Sequence, residues 1–243
     1  MRNFTERQQS NKNQIFLNPC LESADTRVSM NGHHGSEISL ARSLKDIIHT
    51  LEHFLRAPQQ IGAVVPSSRF LARRMMDTLD LGRARTIVEL GAGTGAITTE
   101  LLSRTTPGSK ILIIDSNPAA VSILKQRLSG RENLLIIEGD ARELKSILKQ
   151  HNCGTVDAVV SSLPYASLGE TITRSILSAA AESLSPEGHF VAFQYTPLLR
   201  KTLENYFSIE SSSVELRNFP PAVVYGCTSR KSAHSAAHLR ESA

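Results

Sequence analysis

The residues with the clearest chemical content form one run, Val88-Glu89-Leu90-Gly91-Ala92-Gly93-Thr94-Gly95-Ala96. Three glycines alternating with small residues, directly after an apolar stretch, let a backbone turn tightly and approach a ligand closely. Three further groups stand at the same relative place, the end of an apolar run. Asp115, with Ser116 after it, ends the second run, where a carboxylate can accept hydrogen bonds from ribose hydroxyls. Asp140, with Ala141 after it, ends the third, in position for the edge of an adenine. Ser161-Ser162-Leu163-Pro164-Tyr165 ends the fourth, beside the place left for a reaction centre. Glu89, Gly91, Gly93, Gly95, Asp115, Ser116, Asp140, Ala141 and Ser161 are therefore the candidate cofactor-binding residues.

Short apolar, β-branched runs carry these groups, predicted as strands over 86–90, 110–115, 134–138, 156–161 and 189–195. Helical patterns separate them, over 96–103, 118–128, 143–150 and 170–184. Strands alternating with helices imply a parallel sheet covered on both faces, a Rossmann-like α/β domain over 85–227. Such sheets bind ligands at the carboxyl ends of their strands, where all four groups lie. After a helix near 198–206, the runs 208–216 and 222–227 have no helix between them and should close the sheet as an antiparallel, hairpin-like end.

Upstream, a helix from Ser36 to Arg56 has Leu40, Leu44, Ile47, Ile48, Leu51, Phe54 and Leu55 on one face. A second helix is predicted from Ser67 or Ser68 to Thr78, so that 36–84 forms an N-terminal helical region. Residues 1–35 and 228–243 are polar and aperiodic and read as a disordered leader and tail.

Composition excludes several classes. With 40% hydrophobic and 21% charged residues, 14 glycines and 10 prolines among 243, the chain is neither collagenous nor low-complexity. No apolar run approaches the roughly 20 residues that a spanning helix needs. The start lacks the apolar core of a signal peptide, and the three isolated cysteines, Cys20, Cys153 and Cys227, form no zinc or redox spacing. A cytoplasmic chain is the expectation. The net charge of +4 is unevenly placed: +1 over 1–36, +3 over 37–86, −2 over 87–227 and +2 over 228–243.

The acid, the alternating glycines and the acids after strands two and three resemble the class I S-adenosylmethionine-dependent methyltransferases. That resemblance implies a seven-stranded sheet with an antiparallel terminal pair, and S-adenosylmethionine as cofactor. Gly91-x-Gly93-x-x-Ala96 also satisfies a dinucleotide fingerprint, but Glu89 and Asp140 favour the methyl donor. Outside the cofactor motif, Ile61-Gly62-Ala63-Val64-Val65-Pro66-Ser67-Ser68, Ser161-Ser162-Leu163-Pro164, Phe193-Gln194-Tyr195-Thr196-Pro197 and Asn218-Phe219-Pro220-Pro221-Ala222-Val223-Val224-Tyr225 resemble segments of bacterial phospholipid N-methyltransferases. Ile61, Ser162, Gln194 and Thr196 depart from that pattern, standing for Thr, Gly, Thr and Gly.

The resemblance implies transfer of a methyl group to the amine of a membrane phospholipid, phosphatidylethanolamine first, with an ornithine-type lipid as alternative. It also implies Pro66, Ser67 and Ser68 in a lid over the donor, with Ser67 and Ser68 among the substrate-binding residues. We expect Tyr165, Tyr195 and Tyr225 to line the acceptor pocket, with Tyr165 as the catalytic residue. Aromatic rings there would accommodate a methylated cation. Ribosomal RNA adenine dimethyltransferases share the layout, and Leu163-Pro164-Tyr165 fits their motif, but Ser162 replaces the Asn that would hold an adenine. No basic RNA-binding domain follows, so no nucleic-acid partner is expected. A cofactor- or lipid-binding module without turnover is the non-enzymatic alternative.

The helix from Ser36 to Arg56 admits two roles. It can lay its apolar face into a membrane interface with Arg42, Lys45 and Arg56 near anionic phosphates, or pack on the core. The first places the enzyme peripherally on the inner face of the membrane. The string His49-Thr50-Leu51-Glu52-His53 has two histidines on one helical face but no third ligand, so no metal is expected.

Overall fold

The structure, a computed structural model, describes residues 67–230. The helix from Ser36 to Arg56, the leader, the histidine pair and the tail from 231 onward lie outside the described residues.

Helix α1 (Arg69–Met76) starts where Ser68 Oγ accepts the Leu71 N–H at 3.1 Å. Strand β1 (Thr86–Leu90) leads through the glycine turn into α2 (Ala96–Arg104). Then come β2 (Lys110–Asp115), α3 (Pro118–Arg127) and β3 (Leu134–Glu138). Asn117 caps α3 and Pro118 opens it, a standard start for a helix. A 3-10 turn (Ala141–Glu143) runs into α4 (Leu144–Gln150), followed by β4 (Val156–Ser161). A one-turn helix α5 (Tyr165–Leu168), unforeseen in the sequence, precedes α6 (Glu170–Ser183). The chain finishes with β5 (Leu184–Gln194), a 3-10 turn (Pro197–Leu199), α7 (Arg200–Leu203), β6 (Phe207–Glu215) and β7 (Ala222–Ser229).

The seven strands make one sheet in the order β3-β2-β1-β4-β5-β7-β6. The expected Rossmann-like methyltransferase fold is therefore present. Strands β1 to β5 pair in parallel, and β7 inserts antiparallel between β5 and β6. The end is thus more than a hairpin appended at the edge: β6 lies outermost and runs in the sense of β5. The direction of build-up reverses between β1 and β4, and the crevice at such a reversal is where open α/β sheets take ligands.

Alternation along the strands divides the core in two. Val88, Leu90, Leu112, Ile114 and Val159 face α4 and α6. Ile87, Ile111, Ile113, Ala158 and Val160 face α1, α2 and α3. Strand β5 begins earlier than its apolar pattern suggests, because Leu184 pairs with Val156 before a register shift brings His189 opposite Ala158. Polar Ser185, Glu187 and His189 hide that first half from a hydrophobicity reading.

Candidate active site

The glycine turn is packed from below and open above. Gly91 donates its N–H to the Ile114 carbonyl at 2.9 Å and holds φ at +76°. A Cβ on Gly91 would come within 2.7 Å of the Leu163 side chain, so this backbone meets the segment after β4 directly. Gly93, at φ +51°, has nothing within 4 Å of where its Cβ would stand. Gly95 opens α2 with no side-chain cap, leaving leading N–H groups of the helix for a ligand.

Glu89 is fully buried in central strand β1, between Ile113 and Val160. Neither carboxylate oxygen has a hydrogen-bond partner among the described residues, nor has the buried Thr98 hydroxyl. Burial pushes the Glu89 carboxyl up to about 7; nearby Thr98 opposes this, without bonding geometry, and the Asp115 charge adds to it. A buried carboxylate without partners is costly unless a cation or donor completes it.

Asp115 accepts the Gly93 N–H on Oδ2 and the Asn117 N–H on Oδ1, both at 2.8 Å, which fixes its carboxylate at the end of β2. A cavity of about 190 Å³ opens beside it. Gly91, Asp115, Ser116, Asp140 and Ala141, all foreseen in the sequence, line this cavity. Asp140 caps the turn after β3 by accepting the Arg142 N–H at 2.8 Å. Its carboxylate also takes the Arg142 guanidinium, Nε at 2.9 Å, which holds it below the usual carboxylate range. Asp140 thus stands at the cavity already paired.

Leu163, Leu168, Ile172 and Ile176 form an apolar wall on the same cavity. The wall was not legible beforehand, since Ile172 and Ile176 have the spacing of an ordinary core stripe on α6.

The cavity fits S-adenosylmethionine on its own chemistry. Paired acids sit where a ribose and an adenine edge would be read, and the apolar wall suits a base; the orphaned Glu89 carboxylate, two residues before Gly91 and outside the cavity lining, suits an ammonium group.

The residues expected at the acceptor separate into two groups. Tyr165 is 3% exposed and packs in the core against β4, with its hydroxyl 2.7 Å from that of fully buried Ser161. Burial raises the phenol above its ordinary value, with the Ser161 hydroxyl opposing. Tyr225 lies in the same core, its hydroxyl without a hydrogen-bond partner. These positions correct the expectation that Tyr165 and Tyr225 line an open pocket. Three residues after β4 the chain enters α5, which turns Tyr165 inward, and the alternation of β7, covered on both faces, puts Tyr225 on the side of α4 and α6. Ser161 is likewise a core partner rather than part of the cavity wall.

Tyr195 behaves differently. It is half-buried, edge-on to Phe193 at 5.6 Å, with its hydroxyl beside the Asn218 side chain. Asn218 Oδ1 accepts the Ser68 N–H at 2.9 Å, and Gln194 Nε2 donates to the Leu163 carbonyl at 2.9 Å. Four segments far apart in sequence are thereby tied together at the carboxyl edge of the sheet. Ser67 is half-buried there, whereas the Ser68 hydroxyl is committed to capping α1. Ser162, which the sequence marked only as a departure, donates its N–H to the Leu90 carbonyl at 2.9 Å. Its hydroxyl is buried with no partner.

No cluster of three potential metal ligands occurs among the described residues. No described helix is long and apolar enough to cross a membrane.

Residues 87–188 match the family described as a methyltransferase domain. The chain is 33% identical over 185 residues to an ornithine lipid N-methyltransferase of Singulisphaera acidiphila, an alignment covering 76% of this chain and 96% of the relative. It is 28% identical over 172 residues to a ribosomal RNA small subunit methyltransferase A of Mycoplasma mycoides subsp. mycoides, covering 68% of this chain and 62% of that one. Among solved structures, the N-methyltransferase NodS from Bradyrhizobium japonicum in complex with S-adenosyl-L-homocysteine has a TM-score of 0.54 at 16% identity, over 66% of this chain and 87% of that one. The glycine turn, the orphaned acid, the strand order and these similarities agree: the chain belongs to the class I S-adenosylmethionine-dependent methyltransferases.

Proposed function

We propose that this enzyme methylates the headgroup amine of a membrane aminolipid, with ornithine lipid as first acceptor and phosphatidylethanolamine as second. The observation that carries this reading is the 33% identity to an ornithine lipid N-methyltransferase over 96% of that protein's length. The sequence motifs alone favoured phosphatidylethanolamine; the full-length similarity moves ornithine lipid ahead of it.

When bound, S-adenosylmethionine supplies a sulfonium methyl open to in-line attack by a nitrogen lone pair. Gly91, Gly93 and Gly95 give the backbone approach, Glu89 takes the ammonium group, and Asp115 with Ser116 takes the ribose. Asp140, Ala141 and the apolar wall hold the base. The acceptor-side residues have two tasks: to hold the amine in line and to keep it neutral. Alignment of the reacting atoms supplies much of the acceleration in such reactions. A desolvated site lowers the pKa of an ammonium and so supplies the lone pair. To Ser162, whose buried hydroxyl just after β4 has no partner, we assign acceptance of a hydrogen bond from the amine. Tyr195 and Ser67 border the acceptor, and Tyr165 positions the loop through Ser161. The enzyme works as a peripheral protein on the cytoplasmic face of the membrane.

Incubation of the protein with the donor and each purified lipid, followed by mass measurement of the headgroup, tests this. Methyl additions on the headgroup nitrogen of ornithine lipid are expected. No addition on either lipid, with donor binding intact, would overturn the reading.

A further inference from the structure

The largest exposed apolar side chains among the described residues are Phe219, Leu198 and Leu216, which are 83%, 77% and 75% exposed. Their placement is not scattered. Gln194 at the end of β5 pairs with Val223 near the start of β7, and Glu215 at the end of β6 pairs with Ala222. The β6–β7 loop, with Leu216 and Phe219, therefore stands at the same edge of the sheet as the end of β5. Leu198 follows that end directly, in the 3-10 turn Pro197–Leu199. This is also the edge at which Asn218 meets Ser68 and Tyr195.

The same edge is basic. The segments 67–76, 196–204 and 215–221 carry six arginines and lysines against two glutamates, and Arg73 among the six pairs with Glu100 of α2 at 3.6 Å. One of those acids, Glu215, is already held by Arg217 and Arg74; the other, Glu204, bonds Arg200 at 3.0 Å. Arg217 and Arg69 lie over the Phe70 ring, at 4.3 and 5.0 Å from its centre. By contrast, Asp115 and Asp140 mark the donor side.

We infer that this edge is a membrane-docking surface: Leu198, Leu216 and Phe219 insert into the interfacial zone of an anionic bilayer, and Arg69, Arg217 and Lys201 meet lipid phosphates around them. The inference rests on the aminolipid reading of the site. Apolar tips with long cationic side chains on the same segments match the two layers of a bilayer interface, acyl and phosphate. The position serves the chemistry, because a bilayer on this edge presents headgroups to the acceptor side of the sheet. It also gives a docking surface carried wholly by described residues.

The test uses the full chain and vesicles of phosphatidylcholine with and without phosphatidylglycerol, neither of which carries an acceptor amine. Leu198→Ser, Leu216→Ser and Phe219→Ser are combined in one variant. Their exposure leaves the fold intact, which unchanged donor binding and thermal unfolding verify. A second variant, Leu198→Ser alone, leaves the β6–β7 loop untouched and should lose a smaller part of the same affinity. We expect affinity for the anionic vesicles to fall about tenfold or more in the triple variant. Added salt should weaken the binding of the parent chain. Methylation of aminolipid embedded in vesicles should fall likewise, while that of a short-chain, monomeric analogue stays unchanged. Equal vesicle binding by parent and triple variant would overturn the docking surface. So would an oligomer of the parent that the triple variant alone dissolves, with vesicle binding unaffected; the patch would then join two copies of the chain. If vesicle binding falls as expected but no aminolipid is methylated in any form, the docking surface stands and the aminolipid reading fails.

Discussion

The hydroxyls of Ser161 and Tyr165 lie 2.7 Å apart, both buried, at the junction between β4 and the helical turn that follows it. This pair anchors the loop carrying Ser162, Leu163 and Pro164, which packs on the glycine turn from the other side. On the proposed function, Tyr165 serves the reaction by fixing that loop. Tyr165→Phe leaves the buried Ser161 hydroxyl with only the Leu163 N–H at 3.5 Å, and a loss of about 1–3 kcal/mol in denaturant unfolding is expected. Tyr165→Ala should cost about 3–5 kcal/mol through the cavity it leaves. Turnover of Tyr165→Phe should stay within a few-fold of the parent, whereas a group moving a proton at the acceptor would lose about a hundredfold or more.

Glu89 gives a pH signature. Its folded-state value of about 7 lies above the ordinary carboxyl value of 4.5. The folded chain therefore keeps a proton that the unfolded chain has released, and stability without donor falls as pH rises from 4.5 to about 7, then levels off. Glu89→Gln should remove that descent, by up to about 3 kcal/mol at alkaline pH. The same variant should bind the donor about tenfold to a hundredfold more weakly, since it loses a charge-assisted partner for the ammonium. Chemical unfolding across pH and calorimetric titration with donor measure the two effects. A parallel loss of stability and affinity at all pH values would contradict them.

Two glycines two residues apart should separate folding from binding. At Gly91 a Cβ meets Leu163 at 2.7 Å with φ at +76°, so Gly91→Ala should lose both stability and donor affinity. At Gly93 the space is open. Gly93→Ala should cost only about 1–2 kcal/mol for its positive φ, yet weaken donor binding by placing a methyl where the ligand approaches. Equal donor affinity of Gly93→Ala and parent would count against the proposed approach.

Much of this site was legible in the sequence, for a physical reason. A carboxylate closing a short apolar run must sit at a strand end, and in a parallel sheet all such ends lie on one side. Asp115, at the end of β2, and Asp140, just past the end of β3, followed from that; Glu89 lies inside β1 and followed from its place two residues before the glycine turn. Tyr165 and Tyr225 did not, because their orientation depends on a one-turn helix and on the register of an inserted strand, neither of which leaves a periodic trace. Ile172 and Ile176 were invisible for the opposite reason: a cavity wall on α6 has the same spacing as a core stripe. The tie between Asn218 and Ser68 spans 150 residues and comes only from the insertion of β7.

Glu215 should govern acid stability at the acceptor edge. Arg217 and Arg74 hold its carboxyl down at about 2. The stabilisation is present above the unfolded value near 4.5 and is lost as pH falls through about 2. Glu215→Gln should lower the melting temperature at neutral pH and flatten its fall between those limits. An unchanged acid limb would show that the pair contributes nothing there.

The destination of the methyl group is the central claim. Labelled S-adenosylmethionine, incubated with the full chain, aminolipid vesicles and ribosomal RNA in one reaction, gives a direct partition of label. Label should enter the ornithine lipid fraction first and phosphatidylethanolamine second, leaving RNA blank. Labelled RNA with unlabelled lipid would contradict the account.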